Sequence, residues 1–129
     1  MNGQKLEALR DRIFAALGRG AAREARRGIE KLRRYEPAEA ASLLTALCIE
    51  ERDAKGALKA WQECMARAPH EPYTIFLRAR IHLLMGERRA ALRVLTPLFD
   101  APMSAEVAEK VYNLAGQCAR FLGAADKAV

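Results

Sequence analysis

The stretch RDAKGALKAWQECMARAP, residues 52–69, decides the fold. Asp53 is of the residue type that caps helix starts. Ala57, Leu58, Trp61, Cys64 and Met65 then recur at three- and four-residue spacing, the period of one helical face. The same arrangement returns along the chain every 32 to 37 residues. Gly20, Arg52, Gly86 and Gly123 mark turns, and five residues after each comes a small side chain: Ala25, Ala57, Ala91, Ala128. Four further on lies Ile29, Trp61 or Leu95, and three beyond that Leu32, Cys64 or Leu98. Pro37, Pro69 or the Ala101-Pro102-Met103 bend closes the unit. A repeat of this length signals an array in which each unit buries its apolar face by stacking on a neighbour. Arrays of this kind serve binding more than chemistry.

Composition agrees. Of 129 residues, 51% are hydrophobic but only 6% aromatic, and alanine, the strongest helix former, dominates. No stretch alternates apolar and polar residues, so no strand is expected. The net charge of +6 is uneven: residues 1–37 hold ten Lys/Arg against five Asp/Glu (+5), and residues 38–129 twelve against eleven (+1). The odd, unpatterned cysteines Cys48, Cys64 and Cys118 suggest buried thiols in a reducing compartment. The start of the chain lacks the apolar core of a signal peptide, and the longest apolar run, near Ala41 to Ile49, is far short of a membrane span. The expectation is a cytoplasmic protein without membrane insertion.

About seven helices are expected in one domain over residues 1–129. Their approximate spans are Gln4–Leu17, Ala21–Arg34, Ala38–Glu51, Asp53 onward, Tyr73–Met85, Glu87–Phe99 and Ala105–Leu122. Pro97 should kink or shorten the sixth, and Ser104 should cap the seventh. Residues 124–129 read as the first turn of an eighth helix that never completes. Either the chain is a fragment of a longer protein, or a partner or second copy covers an apolar face of Val111, Leu114, Cys118, Phe121 and Leu122.

The repeat resembles the tetratricopeptide family over nearly the whole chain, as three full units and a partial fourth. Leu9, Ile75 and Tyr112 match its bulky residue early in each first helix. Gly20, Gly86 and Gly123 match its turn glycine, and Ala57, Trp61, Cys64 and Pro69 match its second-helix series. The departures are Arg52 at one turn, Ala41 at one bulky position, and Arg12-Ile13 at the large-small pair. The resemblance implies an all-α, right-handed solenoid of antiparallel helix pairs acting as a protein–protein interaction module, with no cofactor. First helices of the units would line a concave groove for an extended peptide or helix. That face maps onto Glu39, Ser42, Ala46 and Glu50, onto Tyr73, Phe76 and Arg80, and onto Lys110, Asn113, Gln117 and Arg120. Aromatic anchors beside cations fit an acidic partner, since a guanidinium holds a carboxylate with two hydrogen bonds. Phe14 and Leu43 stand where some members place clamp asparagines, which argues against a carboxylate clamp of that kind.

Little in the chain suggests catalysis. His70 lies in a proline connector and His82 in a semi-buried helical position; neither has metal-ligand spacing around it. The cysteines fall on core positions. Helix two is crowded with Arg23, Arg26, Arg27, Lys31, Arg33 and Arg34, but only Tyr35 offers a ring for base stacking, so nucleic-acid reading is disfavoured. Three other functions compete with a free-standing interaction module. They are the N-terminal array of a larger enzyme such as a glycosyltransferase, a small secretion-type chaperone, and a binder of RNA or acidic surfaces through helix two.

Overall fold

The computed structural model describes residues 1–127, with side chains for residues 1–120 and 122. Among the described residues there are seven α-helices: α1 Gly3–Gly18, α2 Ala22–Arg33, α3 Pro37–Glu50, α4 Ala54–Arg67, α5 Pro72–Leu84, α6 Arg88–Leu95 and α7 Ala105–Lys127. A short 3-10 helix, Thr96–Asp100, follows α6. No strand occurs among the described residues. The helices gather into two units, Met1–Arg67 and Ala68–Val129.

Three turns within the units are built alike. At the first, Gly20 N–H donates to Leu17 O (3.2 Å) and Ala21 N–H to Ala16 O (2.9 Å). At the second, Arg52 N–H donates to Ile49 O (3.0 Å) and Asp53 N–H to Cys48 O (2.9 Å). At the third, Gly86 N–H donates to Leu83 O (3.0 Å) and Glu87 N–H to His82 O (2.8 Å). This paired return to carbonyls three and five residues back satisfies the open end of a helix and needs a left-handed residue at the turn. Gly20, Arg52 and Gly86 supply it, with φ of 73°, 58° and 78°. Five residues beyond each turn Ala25, Ala57 and Ala91 are fully buried, because a methyl group lets the returning helix lie close to its partner.

In the first unit α2 packs on both α1 and α3. Leu9, Ile13 and Ala16 of α1 meet Ala25, Ile29 and Leu32 of α2 in one core that also takes in Ala40 and Leu47. Gly28 is required there: a Cβ on it would lie 2.6 Å from Ile13 Cγ1. Pro37 opens α3, where a missing N–H costs nothing. The α3–α4 contact encloses Thr45, whose hydroxyl donates to Ala41 O (2.7 Å) and lies 3.6 Å from Cys64 Sγ. Asp53 caps α4 through Gly56 N–H (3.0 Å).

In the second unit Phe76 and Ala79 of α5, Ala91 and Leu95 of α6, Leu98, and Val111, Ala115 and Cys118 of α7 form the core. Ser104 accepts from Val107 N–H (3.2 Å) at the start of α7, as expected.

α6 stops early, at Leu95, as Pro97 predicts: proline cannot donate within an α-helix and the chain tightens into the 3-10 turn. Elsewhere the structure corrects the sequence reading. The turn expected at Gly123 is absent: α7 runs through it to Lys127. One glycine costs a helix only about 1 kcal/mol, and the alanines that follow favour continuation. Ala128, the repeat residue expected beyond that turn, lies outside the described residues. Trp61 is half-buried and Met65 is 38% exposed, although both were placed on the apolar face of α4. Val111 and Cys118 are fully buried in the unit's own core, so they form no open face for a second copy. Leu114 and Leu122 are half-buried, and the side chain of Phe121 lies outside the description.

Candidate functional site

The residues expected to line a groove separate into three groups. In the first unit Glu39 is held within the fold. Arg10 of α1 donates through Nε to both carboxylate oxygens, at 2.6 and 3.0 Å, with each side chain about one-third exposed. This hydrogen bond and the carboxylate charge push the Arg10 pKa above its ordinary value. Ser42 donates to Glu39 O of its own helix (2.9 Å). Glu39 therefore serves the α1–α3 contact, and the Ser42 hydroxyl is taken up within α3.

Further along α3 the surface opens. Ala46 and Glu50, also expected on the groove face, line a cleft of about 580 Å³ together with Leu47 and Glu51, Leu17, Gly18 and Gly20 at the end of α1, and Ala22 of α2. Its walls are apolar and one side is acidic. The C-terminal ends of α1 and α3 meet there, so the carbonyl ends of both helices add partial negative charge to that of Glu50 and Glu51. Glu51 is paired with Arg26 of α2, which removes part of that charge. Phe14, one turn before Leu17 and Gly18 on α1, is 55% exposed. Phe14, Leu17, Leu47 and Glu51 were missed as site residues in the sequence. The available signal was the row Arg10, Phe14, Leu17, at helical spacing beside the core row Leu9, Ile13, Ala16.

In the second unit Phe76, the expected aromatic anchor, is 7% exposed and belongs to the core. It is removed from the surface because α5 packs against both α6 and α7. Tyr73 is half-buried and stacks on it, ring centres 5.7 Å apart. Arg80 is half-buried and engaged in an interaction of its own. Lys110, Asn113, Gln117 and Arg120 are all exposed on one stripe of α7 at three- and four-residue spacing. Beside this stripe Tyr112 is 52% exposed and stacks nearly parallel on Phe99, 5.3 Å away.

The groups considered for chemistry have structural surroundings. His70 is exposed, and His82 Nδ1 lies 3.0 Å from Glu87 Oε1 across the third turn. Burial pushes the thiols of Cys48, Cys64 and Cys118 above the ordinary range, which holds them in the unreactive protonated form. No helix among the described residues is long and apolar enough to cross a membrane. Compared with protein families and with curated proteins, the chain matches none.

Proposed function

We propose that this chain is a tetratricopeptide-like interaction module whose helix pairs continue in register as a right-handed solenoid. In this reading the α1–α3 cleft takes a side chain of a partner peptide. The repeated turn supports the architecture: three left-handed residues, each followed five positions later by a fully buried alanine. A unit repeated in this way is the signature of arrays that present binding surfaces.

The cleft is the observation that carries the function. Its size and apolar walls suit an aliphatic chain, and its acidic side suits a cationic head. The favoured ligand is therefore a Lys or Arg side chain on a segment that also carries an apolar residue for Phe14. Here the preference departs from the acidic partner expected of the cationic groove. The α7 stripe keeps Lys110 and Arg120 available to a carboxylate.

The test uses the full chain with labelled peptides that differ only in charge: Lys/Arg-bearing, neutral, and Asp/Glu-bearing. Peptides combining Lys or Arg with an aromatic or aliphatic residue should bind. Ala46→Phe, which fills the cleft from its half-exposed wall, should weaken them about tenfold, as blocking one buried anchor does. Equal affinity for the filled variant, its helicity unchanged, overturns the reading.

A further inference from the structure

Six cations crowd residues 23–34, and the structure divides them into two sets. Arg26 pairs with Glu51, and Arg33 with Glu63 at 2.9 Å, so these two tie α2 to the helices that follow it. Arg23, Arg27, Lys31 and Arg34 lie on the opposite side of α2 from the buried Ala25, Ile29 and Leu32, and all four are exposed. Among the described residues no ion pair engages them. Arg12 of α1 joins this face. With Arg27, Lys31 and the bordering Glu24 it lines a recess of about 230 Å³ over Leu9, Ile13 and Gly28. Gly28 brings α2 down onto Ile13 and adds no side chain to the recess floor. A second recess of about 350 Å³ follows along the helix, lined by Glu30, Lys31, Arg33 and Arg34.

Four cations therefore face solvent along α2, about 18 Å long, and Arg12 of α1 makes a fifth beside them. At such separations salt screens their mutual repulsion only in part, so an arriving row of negative charge is attracted strongly. We propose that this outer face of α2 binds an acidic segment of another protein, one presenting a single row of Asp or Glu. The inference rests on the interaction-module reading only in that the partner is a protein; it uses neither the α1–α3 cleft nor the α7 stripe.

The flanks of the row select this partner over broader polyanions. Glu24 and Glu30 border the cationic row, each held by an ion pair, to Arg19 and Arg33. They confine the positive field to about one helix width. A duplex backbone or a membrane surface would also place negative charge over those two carboxylates. The apolar side of α2 is consumed by the core, which leaves nothing to insert into lipid. The row itself carries no aromatic side chain for base stacking. A partner helix with acids at every third and fourth position repeats at the same rise as α2. It would set carboxylates over successive guanidinium groups, which can hold them by two hydrogen bonds.

The experiment is fluorescence anisotropy on the full chain. The probes are a helical peptide with Glu at every third and fourth position, its Gln counterpart, an RNA duplex of matched charge, and phosphatidylserine vesicles. The Glu peptide should bind, the Gln peptide should not, and rising salt should weaken the complex. Arg27→Glu with Lys31→Glu should lower affinity at least about tenfold, since each lost charge-assisted contact becomes a repulsion. Arg27→Gln with Lys31→Gln serves as a milder pair if the reversed charges disturb folding. Ala46→Phe and Lys110→Glu/Arg120→Glu should leave this affinity unchanged. Tighter binding of duplex or vesicle than of the Glu peptide at one salt concentration overturns the proposal. So does failure of the wild-type chain to bind that peptide, while capture of basic peptides by the cleft would still stand. Loss of binding in the α7 variant alone moves the acidic partner to α7 and leaves the interaction-module reading in place.

Discussion

Arg52 adopts the left-handed backbone that glycine supplies at the two sister turns. A side chain in that conformation costs about 1–2 kcal/mol, offset in part by the greater freedom of glycine in the unfolded chain. Arg52→Gly should therefore raise the unfolding free energy by about 0.5–1 kcal/mol in urea denaturation. A decrease would show that the arginine side chain makes a contact worth more than the strain. His82 is the second residue with a testable cost. Its Nδ1 meets Glu87, but its Nε2 is buried without a partner among the described residues. His82→Phe removes that atom and should stabilise by about 0.5–1 kcal/mol, read from the same denaturation curves. The sequence marked residue 52 as a turn through its spacing alone. The ion pair that takes up Glu39 was not legible, because its partner Arg10 lies a whole helix pair away along the chain.

At the scale of the element, apolar periodicity located every α-helix among the described residues and most of their ends. It did not say how wide the buried face of each would be. A helix packed on one side exposes the rest, whereas α5, packed against both α6 and α7, draws Phe76 inward from an expected surface position. The converse holds for α4, whose large residue Trp61 keeps part of its ring in solvent. Trp61→Ala should then cost about 2 kcal/mol, below the 3–5 kcal/mol typical of a fully buried tryptophan. A thermal shift matching the full core value would mean that the ring supports α4 more than its exposure indicates. Capping was legible where side-chain chemistry decides it, at Asp53 and Ser104. The end of α7 was not, because a glycine permits a turn without requiring one.

For the molecule as a whole, the three buried thiols link stability to pH. Each has its folded pKa raised by burial, an effect that the Thr45 hydroxyl partly opposes at Cys64. A raised folded value contributes stability that is fully present below the unfolded thiol pKa of about 8.5 and is lost as pH climbs from there through the higher folded value. The melting temperature should therefore hold near neutral pH and fall above pH ~9, with a shallower fall in Cys64→Ala than in the native chain. Identical slopes would remove the thiol as the cause. The cationic excess of residues 1–37 was plain from composition. Its division into tethering and outward-facing arginines needed the fold, because Arg26 and Arg33 find their carboxylates on other helices. The placement of the thiols has one more consequence. Cys48 and Cys64 lie in the first unit and Cys118 in the second, all shielded from water. The native chain thus carries its own stopwatch for breathing motions: each sulfur can meet an alkylating reagent only while its surroundings are open. Trapping rates for Cys64 and Cys118 that match across a urea series would mean that the two units each open in the same event, and rates that diverge would date each opening separately.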